Sequence, residues 1–191
     1  PGSTLKPFIY GYAMQHDVLY ASEMLLDKPL DYGRYMPENF HQRFEGLVAA
    51  SDALQQSLNI PAVTILERIG LESFHKDLPR MGIKSLTRSA EHYGLGMTLG
   101  AWEVRLDEMA EAYTMIANLG TYRPLKKYVS DESTATRIWD KGVARQLYAM
   151  LEQTPPGESS HTLTPTEHPL SRVAWKTGTS SGYRDAWTFM F

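Results

Sequence analysis

Arg172-Val173-Ala174-Trp175-Lys176-Thr177-Gly178-Thr179-Ser180 is the stretch on which the fold prediction depends most. Its β-branched and aromatic residues predict a strand over residues 172–177, followed by a glycine-containing connection. Residues 185–191, Asp-Ala-Trp-Thr-Phe-Met-Phe, alternate in polarity and predict a second strand. The two stretches together predict a β-hairpin near the end of the chain.

Lys176-Thr177-Gly178-Thr179 also suggests a binding edge. A strand edge with a lysine, two threonine hydroxyls and a glycine suits an extended peptide with a terminal carboxylate. Gly178 would let the ligand backbone approach closely, and the Thr179 N–H could stabilise an oxyanion. The alternative, a plain strand that runs into a glycine turn, stays open on this segment alone.

Helices are predicted for most of the preceding chain, where apolar residues recur at helical spacing. Pro7 fits only the first turn of a helix, which places Ser3 near a helix N-terminus. Pro79 should interrupt its helix. The predicted helices start near Ser3 and run to Leu19, span 44–54 and 61–70, break within 71–81, and then cover 106–117 and 143–151; loops are predicted at 31–40 and 153–169.

Ser3-x-x-Lys6 can form a nucleophile with its base. Residues three apart share a helix face, so the Lys6 amine can reach the Ser3 oxygen. A serine needs a base to remove its proton, and lysine can serve only if burial or a nearby cation lowers its pKa. A solvated helix face is the alternative, and Ser73-Phe74-His75-Lys76 is a second match to this short pattern.

Ser57-Leu58-Asn59 lies between two predicted helices, just before Pro61. Ser57 could relay a proton to an amine, and Asn59 could hold a substrate amide or the lysine. Alternatively, both side chains could merely satisfy backbone groups at the helix ends.

Composition excludes several other classes of protein. The chain has 191 residues, 42% of them apolar, which is enough for the core of one domain. A net charge of −3 does not indicate the basic surface that nucleic-acid binding requires. The absence of cysteine excludes disulfides and thiolate metal sites. The six histidines show no metal-binding spacing, so neither a metal nor a cofactor is expected. No apolar run approaches the ~18 residues of a membrane span.

The three motifs occur in the order that is typical of serine acyl-transfer enzymes of the penicillin-binding and β-lactamase group. The chain further resembles class A penicillin-binding proteins in longer segments that include these motifs. These segments are Pro1-Gly2-Ser3-Thr4-Leu5-Lys6-Pro7-Phe8, Tyr35-x-Pro37-x-Asn39-Phe40, Ser57-Leu58-Asn59-Ile60-Pro61-Ala62-Val63, Trp175-Lys176-Thr177-Gly178-Thr179-Ser180 and Gly182-Tyr183-Arg184-Asp185-Ala186-Trp187.

The resemblance implies a mixed α and β fold, with an antiparallel sheet covered by helices on both faces and an all-helical subdomain. Residues 1–191 would form a partial transpeptidase domain, shorter than the family's at both ends. The parent protein would carry a membrane anchor and a glycosyltransferase domain and would work outside the cytoplasm, on the periplasmic side of the inner membrane.

The resemblance also implies a D,D-transpeptidase that acts on peptidoglycan stem peptides ending in D-Ala-D-Ala and is acylated by β-lactams. The implied catalytic residues are Ser3, Lys6, Ser57, Asn59 and Lys176, and the implied substrate-binding residues are Thr177, Gly178 and Thr179. A D,D-carboxypeptidase or serine β-lactamase of the same fold, or a binding module without turnover, are the alternatives. No Glu-x-x-x-Asn pattern typical of class A β-lactamases is present, which disfavours that enzyme.

Overall fold

The structure is a computed structural model that describes residues 1–33, 36–100, 102–153, 173–180, 182 and 184–191. The predicted mixture of helices and antiparallel strands is confirmed, although the strands of the described residues form three small sheets and not the single sheet that was expected. The helices are α1 Lys6–Gln15, α2 Ala50–Gln55, α3 Asn59–Ile69, α4 Leu71–Asp77, α5 Ala90–Tyr93, α6 Leu106–Ala117 and α7 Lys141–Leu151, with 3₁₀ segments at Gly2–Leu5, Leu78–Met81 and Gly94–Leu99. The strands are β1 Met24–Asp27, β2 Gly46–Ala49, β3 Thr121–Tyr122, β4 Thr136–Arg137, β5 Glu152–Gln153, β6 Val173–Thr179 and β7 Ala186–Met190.

Helix α1 lies in the centre of the core. Residues 6–14 are all buried, and the helix packs against α3 and α7. Pro7 occupies the first turn as predicted, because its missing N–H has no intrahelical partner there. The predicted extension to Leu19 is wrong: the helix ends at Gln15, and Asp17 turns the chain with a φ of 56°.

The late hairpin is confirmed. Strands β5, β6 and β7 form an antiparallel sheet in that order, and Lys176 faces Phe189 across the β6–β7 ladder. Strand β6 continues through Gly178 to Thr179, so Gly178 lies within the strand and not in the turn. Helix α7 packs against β6, and the Phe189 ring stacks on Tyr113 of α6 at 4.3 Å.

The predicted helix over residues 44–54 is wrong in its first half. Residues 46–49 form β2, which pairs antiparallel with β1, and only the part from Ala50 onward is helical. Val48 is buried while Leu47 is exposed, so this short apolar run follows the two-residue period of a strand. Strand β1 itself was not predicted.

The remaining helix predictions are confirmed with small shifts. Helix α3 begins two residues before Pro61 and ends at Ile69, directly before Gly70, and Pro79 lies in the 3₁₀ segment after α4. Helix α6 has the predicted bounds and α7 begins two residues early. The predicted loop over 153–169 lies, from residue 154, outside the described residues. Within the described part of the chain, no helix is both long and apolar enough to cross a membrane.

Candidate active site

Ser3 lies in the 3₁₀ segment Gly2–Leu5, here called the Ser3 turn, which abuts strand β6. Glycines on both sides permit this contact. A Cβ on Gly178 would lie 2.5 Å from the Thr4 nitrogen, and one on Gly2 would lie 2.5 Å from the Thr179 oxygen. Neither position therefore tolerates a side chain unless the strand and the turn move apart.

Hydrogen bonds hold the Ser3 turn in place. The Thr4 hydroxyl donates to the Pro1 carbonyl at 2.6 Å, and the buried Tyr113 hydroxyl donates to the Thr4 carbonyl at 2.7 Å. Ser3 itself is partly exposed, whereas Gly2 and Thr4 are buried. The turn therefore presents the Ser3 side chain at the surface of an otherwise fixed backbone.

Lys6 follows the turn and is fully buried. Its Nζ donates to Ser57 O at 2.6 Å and Asn59 Oδ1 at 2.6 Å, and it lies 3.4 Å from Ser57 Oγ. Burial, and secondarily the charge of Lys176, lower the Lys6 pKa well below its ordinary value. Burial and a neighbouring cation are the two conditions under which a lysine can act as a base.

Ser57 has a left-handed backbone, with a φ of 59°. It follows α2 in the position that glycine usually takes in a Schellman motif. The two hydrogen bonds of that motif are present, from Ser57 N to Leu54 O at 3.1 Å and from Leu58 N to Ala53 O at 2.9 Å. This turn directs both the carbonyl and the hydroxyl of Ser57 toward Lys6. A left-handed residue other than glycine is strained by about 1 kcal/mol, and such strain is concentrated at functional sites.

Lys176 reaches the same serine from strand β6. Its Nζ donates to Ser57 Oγ at 2.8 Å and to Thr177 O at 2.8 Å. The side chain is 2% exposed, and burial lowers its pKa to about 8. Ser57 thus lies between two buried amines that come from distant parts of the sequence.

The end of β6 faces the Ser3 turn with its backbone. Ser180 N donates to Asp185 O across the ladder. Because hydrogen-bonded residues alternate along an antiparallel strand, Thr179 directs its N–H and C=O away from β7. The close approach of Gly2 to the Thr179 oxygen shows that this side is the one that borders the Ser3 turn. The Thr177 and Thr179 side chains are exposed, and Gly178 between them is buried.

The structure therefore brings the three predicted motifs together. One expected contact is not formed: among the described residues, the hydrogen bonds of Lys6 Nζ go to Ser57 and Asn59, and none joins the Ser3 hydroxyl to Lys6 or Ser57. The competing Ser73-x-x-Lys76 match lies on α4, where both residues are exposed, as expected for a solvated helix face.

Three contributors to the site were not predicted. Tyr113 was predicted only as part of an apolar helix face, and its hydroxyl gives no periodic signal. A Cβ on Gly100 would collide with the backbone of Gly2, and its φ of 61° also favours glycine. Asn39 appears in the sequence resemblance without a role, although its side chain contacts Asn59 in the structure.

Comparison with known proteins is consistent with this geometry. The family model described as "Penicillin binding protein transpeptidase domain" matches residues 1–186. The chain therefore belongs to the penicillin-binding protein transpeptidase domain family.

Among its relatives, the chain is 36% identical over 190 residues to penicillin-binding protein 1C of Escherichia coli (strain K12), covering 98% of this chain and 24% of that protein. It is 32% identical to penicillin-binding protein 1F of Bacillus subtilis (strain 168), covering 98% and 28%. The chain thus spans about a quarter of the length of these curated relatives. The crystal structure of penicillin-binding protein 1A from Haemophilus influenzae has a TM-score of 0.79 at 23% identity, over 100% of this chain and 36% of that one, which supports the same fold.

Proposed function

We propose that this chain is a peptidoglycan D,D-transpeptidase domain in which Ser3 forms an acyl-enzyme with the D-Ala-D-Ala end of a stem peptide. The observation that carries the proposal is the convergence of Lys6 and Lys176 on Ser57, next to the Ser3 turn. Two buried amines with lowered pKa values around one hydroxyl constitute a proton-transfer system. Among the described residues, no carboxylate forms an ion pair with either lysine, and a merely structural site would gain nothing from burying two such cations.

Lys6 is the proposed base in the first step. In its neutral form it accepts the Ser3 proton while the Ser3 oxygen attacks the carbonyl carbon between the two D-alanines. The hydrogen bond from Lys176 occupies a lone pair of Ser57 Oγ, which leaves the Ser57 proton free to donate. Ser57 then protonates the departing D-alanine nitrogen as the C–N bond breaks, and Lys6 returns its proton to Ser57.

The backbone bordering the Ser3 turn is the proposed oxyanion hole. The N–H groups of Ser3 and Thr179 would stabilise the negative oxygen of the tetrahedral intermediate. Lys176 and the exposed hydroxyls of Thr177 and Thr179 would bind the terminal carboxylate. Gly178 would serve the site by letting the Ser3 turn lie close to β6, since that turn fills the space a side chain would need. Asn59 keeps the Lys6 amine in place through the 2.6 Å hydrogen bond of its Oδ1.

The second step separates the transpeptidase from its alternatives. Transfer of the acyl group to an amine of another stem peptide makes a cross-link, whereas transfer to water defines a D,D-carboxypeptidase or a β-lactamase. From the resemblance to class A relatives, we further propose that the parent protein is membrane-anchored, carries a glycosyltransferase domain and works on the periplasmic side of the inner membrane.

The decisive experiment is covalent labelling with a fluorescent penicillin, followed by mass spectrometry of proteolytic peptides. We expect an adduct on the peptide that contains Ser3. The adduct should be lost in Ser3→Ala and retained in Ser73→Ala, which removes the serine of the competing match. An adduct on the Ser73 peptide, or none on Ser3, would contradict the assignment. Incubation with a pentapeptide and an acceptor amine then shows whether the product is cross-linked or hydrolysed.

A further inference from the structure

The loop between β1 and β2 reaches the site through Asn39, which is 4% exposed. Asn39 Nδ2 donates to both carboxylate oxygens of Asp27, at 2.9 and 2.8 Å, and to Arg43 O at 2.8 Å. Asn39 Oδ1 accepts from Asn59 N at 2.8 Å. A flipped amide would place its NH₂ against the Asn59 N–H and its oxygen against a carboxylate. The surroundings therefore permit only one orientation of the Asn39 side chain.

Asp27 is the fixed end of this chain of hydrogen bonds. It is fully buried, and no cation among the described residues forms an ion pair with it. A buried carboxylate of this kind must be held by hydrogen-bond donors, and Asp27 Oδ2 also accepts from Glu45 N at 2.8 Å. Because Asn39 and Glu45 belong to the same loop, their hydrogen bonds to Asp27 hold two parts of that loop against the end of β1.

The same loop controls both the backbone and the side chain of Asn59. Asn59 is the first residue of α3, and Leu58 before it provides no side-chain cap, so Asn39 Oδ1 caps the helix from outside. Glu38 O accepts from Asn59 Nδ2 at 2.6 Å. With Nδ2 held in this way, Oδ1 of Asn59 is the atom left to face Lys6, at 2.6 Å.

We propose that Asn39, fixed by Asp27, is a positioning residue that orients the Asn59 amide and, through it, the Lys6 amine. This role rests on the proposed function, because it concerns the lysine that takes the Ser3 proton. If the Asn59 amide could rotate, its NH₂ would oppose the protonated Lys6 amine as donor against donor. It would also donate to the lone pair that neutral Lys6 needs in order to act as a base. Misplacement of a base slows the chemical step and leaves initial ligand binding largely unchanged.

The test compares single and paired substitutions that exchange the two groups. Asn39→Asp sets a second carboxylate against Asp27. In the double variant Asp27→Asn with Asn39→Asp, the reversed pair can re-form the hydrogen bond, still cap Asn59 N and still accept from Glu45 N. It loses the hydrogen bond to Arg43 O and one of the two hydrogen bonds between the side chains at positions 27 and 39, because an amide has only one accepting oxygen. Asn118→Asp is the control. It adds the same charge at an exposed asparagine after α6, far from Asn39 in the sequence.

The readout is the acylation of Ser3 by a chromogenic cephalosporin, resolved into the dissociation constant of the first complex and the first-order acylation rate. We expect Asn39→Asp to lower the acylation rate by about tenfold to 100-fold with little change in the dissociation constant. The reversed pair should recover most of the rate, and Asn118→Asp should match the unsubstituted chain.

An unchanged rate in Asn39→Asp, or no recovery in the reversed pair when circular dichroism shows both variants folded, would overturn the positioning role alone. If Asn39→Asp does not fold, the reversed pair alone decides, since a rate near that of the unsubstituted chain supports the role and a loss of more than tenfold contradicts it. If the unsubstituted chain is not acylated on Ser3, the proposed function fails and this inference fails with it.

Discussion

The two halves of helix α1 are both buried as far as Met14 but differ in what surrounds them. In the C-terminal half, Gly11 packs against the Trp139 ring, and Tyr12 meets Phe74 edge to face at 5.5 Å. At the N-terminal end, Lys6 is buried among the polar groups of Ser57 and Asn59, with a second buried cation nearby. One helix thus joins a tightly packed apolar core to a desolvated, charged cluster.

The difference separates the part of the fold that contributes most to stability from the part in which the proposed reaction would take place. Apolar contacts at the core end stabilise the protein through burial and dispersion. The N-terminal end contains two desolvated amines and a left-handed serine, each of which costs stability. Substitutions at the core end should therefore change stability, and substitutions at the site end should change acylation more than stability.

Replacement of Lys6 by methionine should give the largest effect. Methionine keeps most of the buried stem but removes the proposed base, so acylation of Ser3 by a penicillin should slow by about 10²–10⁴-fold. The free energy of unfolding should change by less than about 2 kcal/mol, because removal of a desolvated charge offsets the lost hydrogen bonds. Stopped-flow acylation and urea denaturation measure the two quantities. Retention of more than about a tenth of the acylation rate would mean that Lys6 is not the base.

Matched glycine substitutions at the two ends test the comparison directly. In Gly178→Ala the new Cβ would lie 2.5 Å from a backbone nitrogen of the Ser3 turn, so the strand and the turn must separate. We expect acylation to slow by about 100-fold, the effect of roughly 1 Å of misplacement.

Gly11→Ala is the control, because its Cβ would lie 2.5 Å from the Trp139 ring. It should lower the free energy of unfolding by about 1–3 kcal/mol while the folded protein acylates normally. Equal losses of acylation in both variants would show that the two ends do not act separately.

The pH dependence of acylation should reveal the buried lysines. In the proposed mechanism acylation requires neutral Lys6, so the rate should rise with pH through the lowered pKa of Lys6. Lys176 must be charged to bind a carboxylate, so ligand affinity should fall as the pH passes its pKa of about 8. Because the Lys176 charge lowers the Lys6 pKa, Lys176→Gln should move the rising limb to higher pH. A rising limb that stays in place would mean that the two amines are not coupled in solution.

The sequence was sufficient to predict the parts of the site that lie within short motifs. Ser3 and Lys6 share one turn of helix, Ser57 and Asn59 flank one residue, and Lys176 to Thr179 form one strand, so each motif has its own chemical signature. Their convergence was expected from the resemblance, since no spacing rule relates segments so far apart in the chain.

The unpredicted parts depend on contacts between segments that have no pattern of their own. Asp27 and Asn39 are 12 residues apart and become partners only because β1 and β2 pair and enclose the loop. The apolar run at residues 46–49 is too short to distinguish a strand from a helix without its partner. Gly178 is a turn residue by propensity, but the contact with the Ser3 turn requires it within a strand.

The smallest expected effect isolates the strain at Ser57. Ser57→Ala and Ser57→Gly both remove the hydroxyl that Lys6 and Lys176 contact, so both should lose acylation to a similar degree. They differ in the backbone, because only glycine adopts a φ of 59° without strain. The glycine variant should therefore be more stable than the alanine variant by about 1 kcal/mol in urea denaturation.

Leu119 provides the matched control, since it also has a left-handed backbone, with a φ of 53°, and follows α6 outside the site. Leu119→Gly should exceed Leu119→Ala in stability by a similar amount, with acylation unchanged in both. If the difference appears at Leu119 and not at Ser57, the left-handed turn of Ser57 is relaxed in solution, and the site end of α1 stores less strain than its geometry implies.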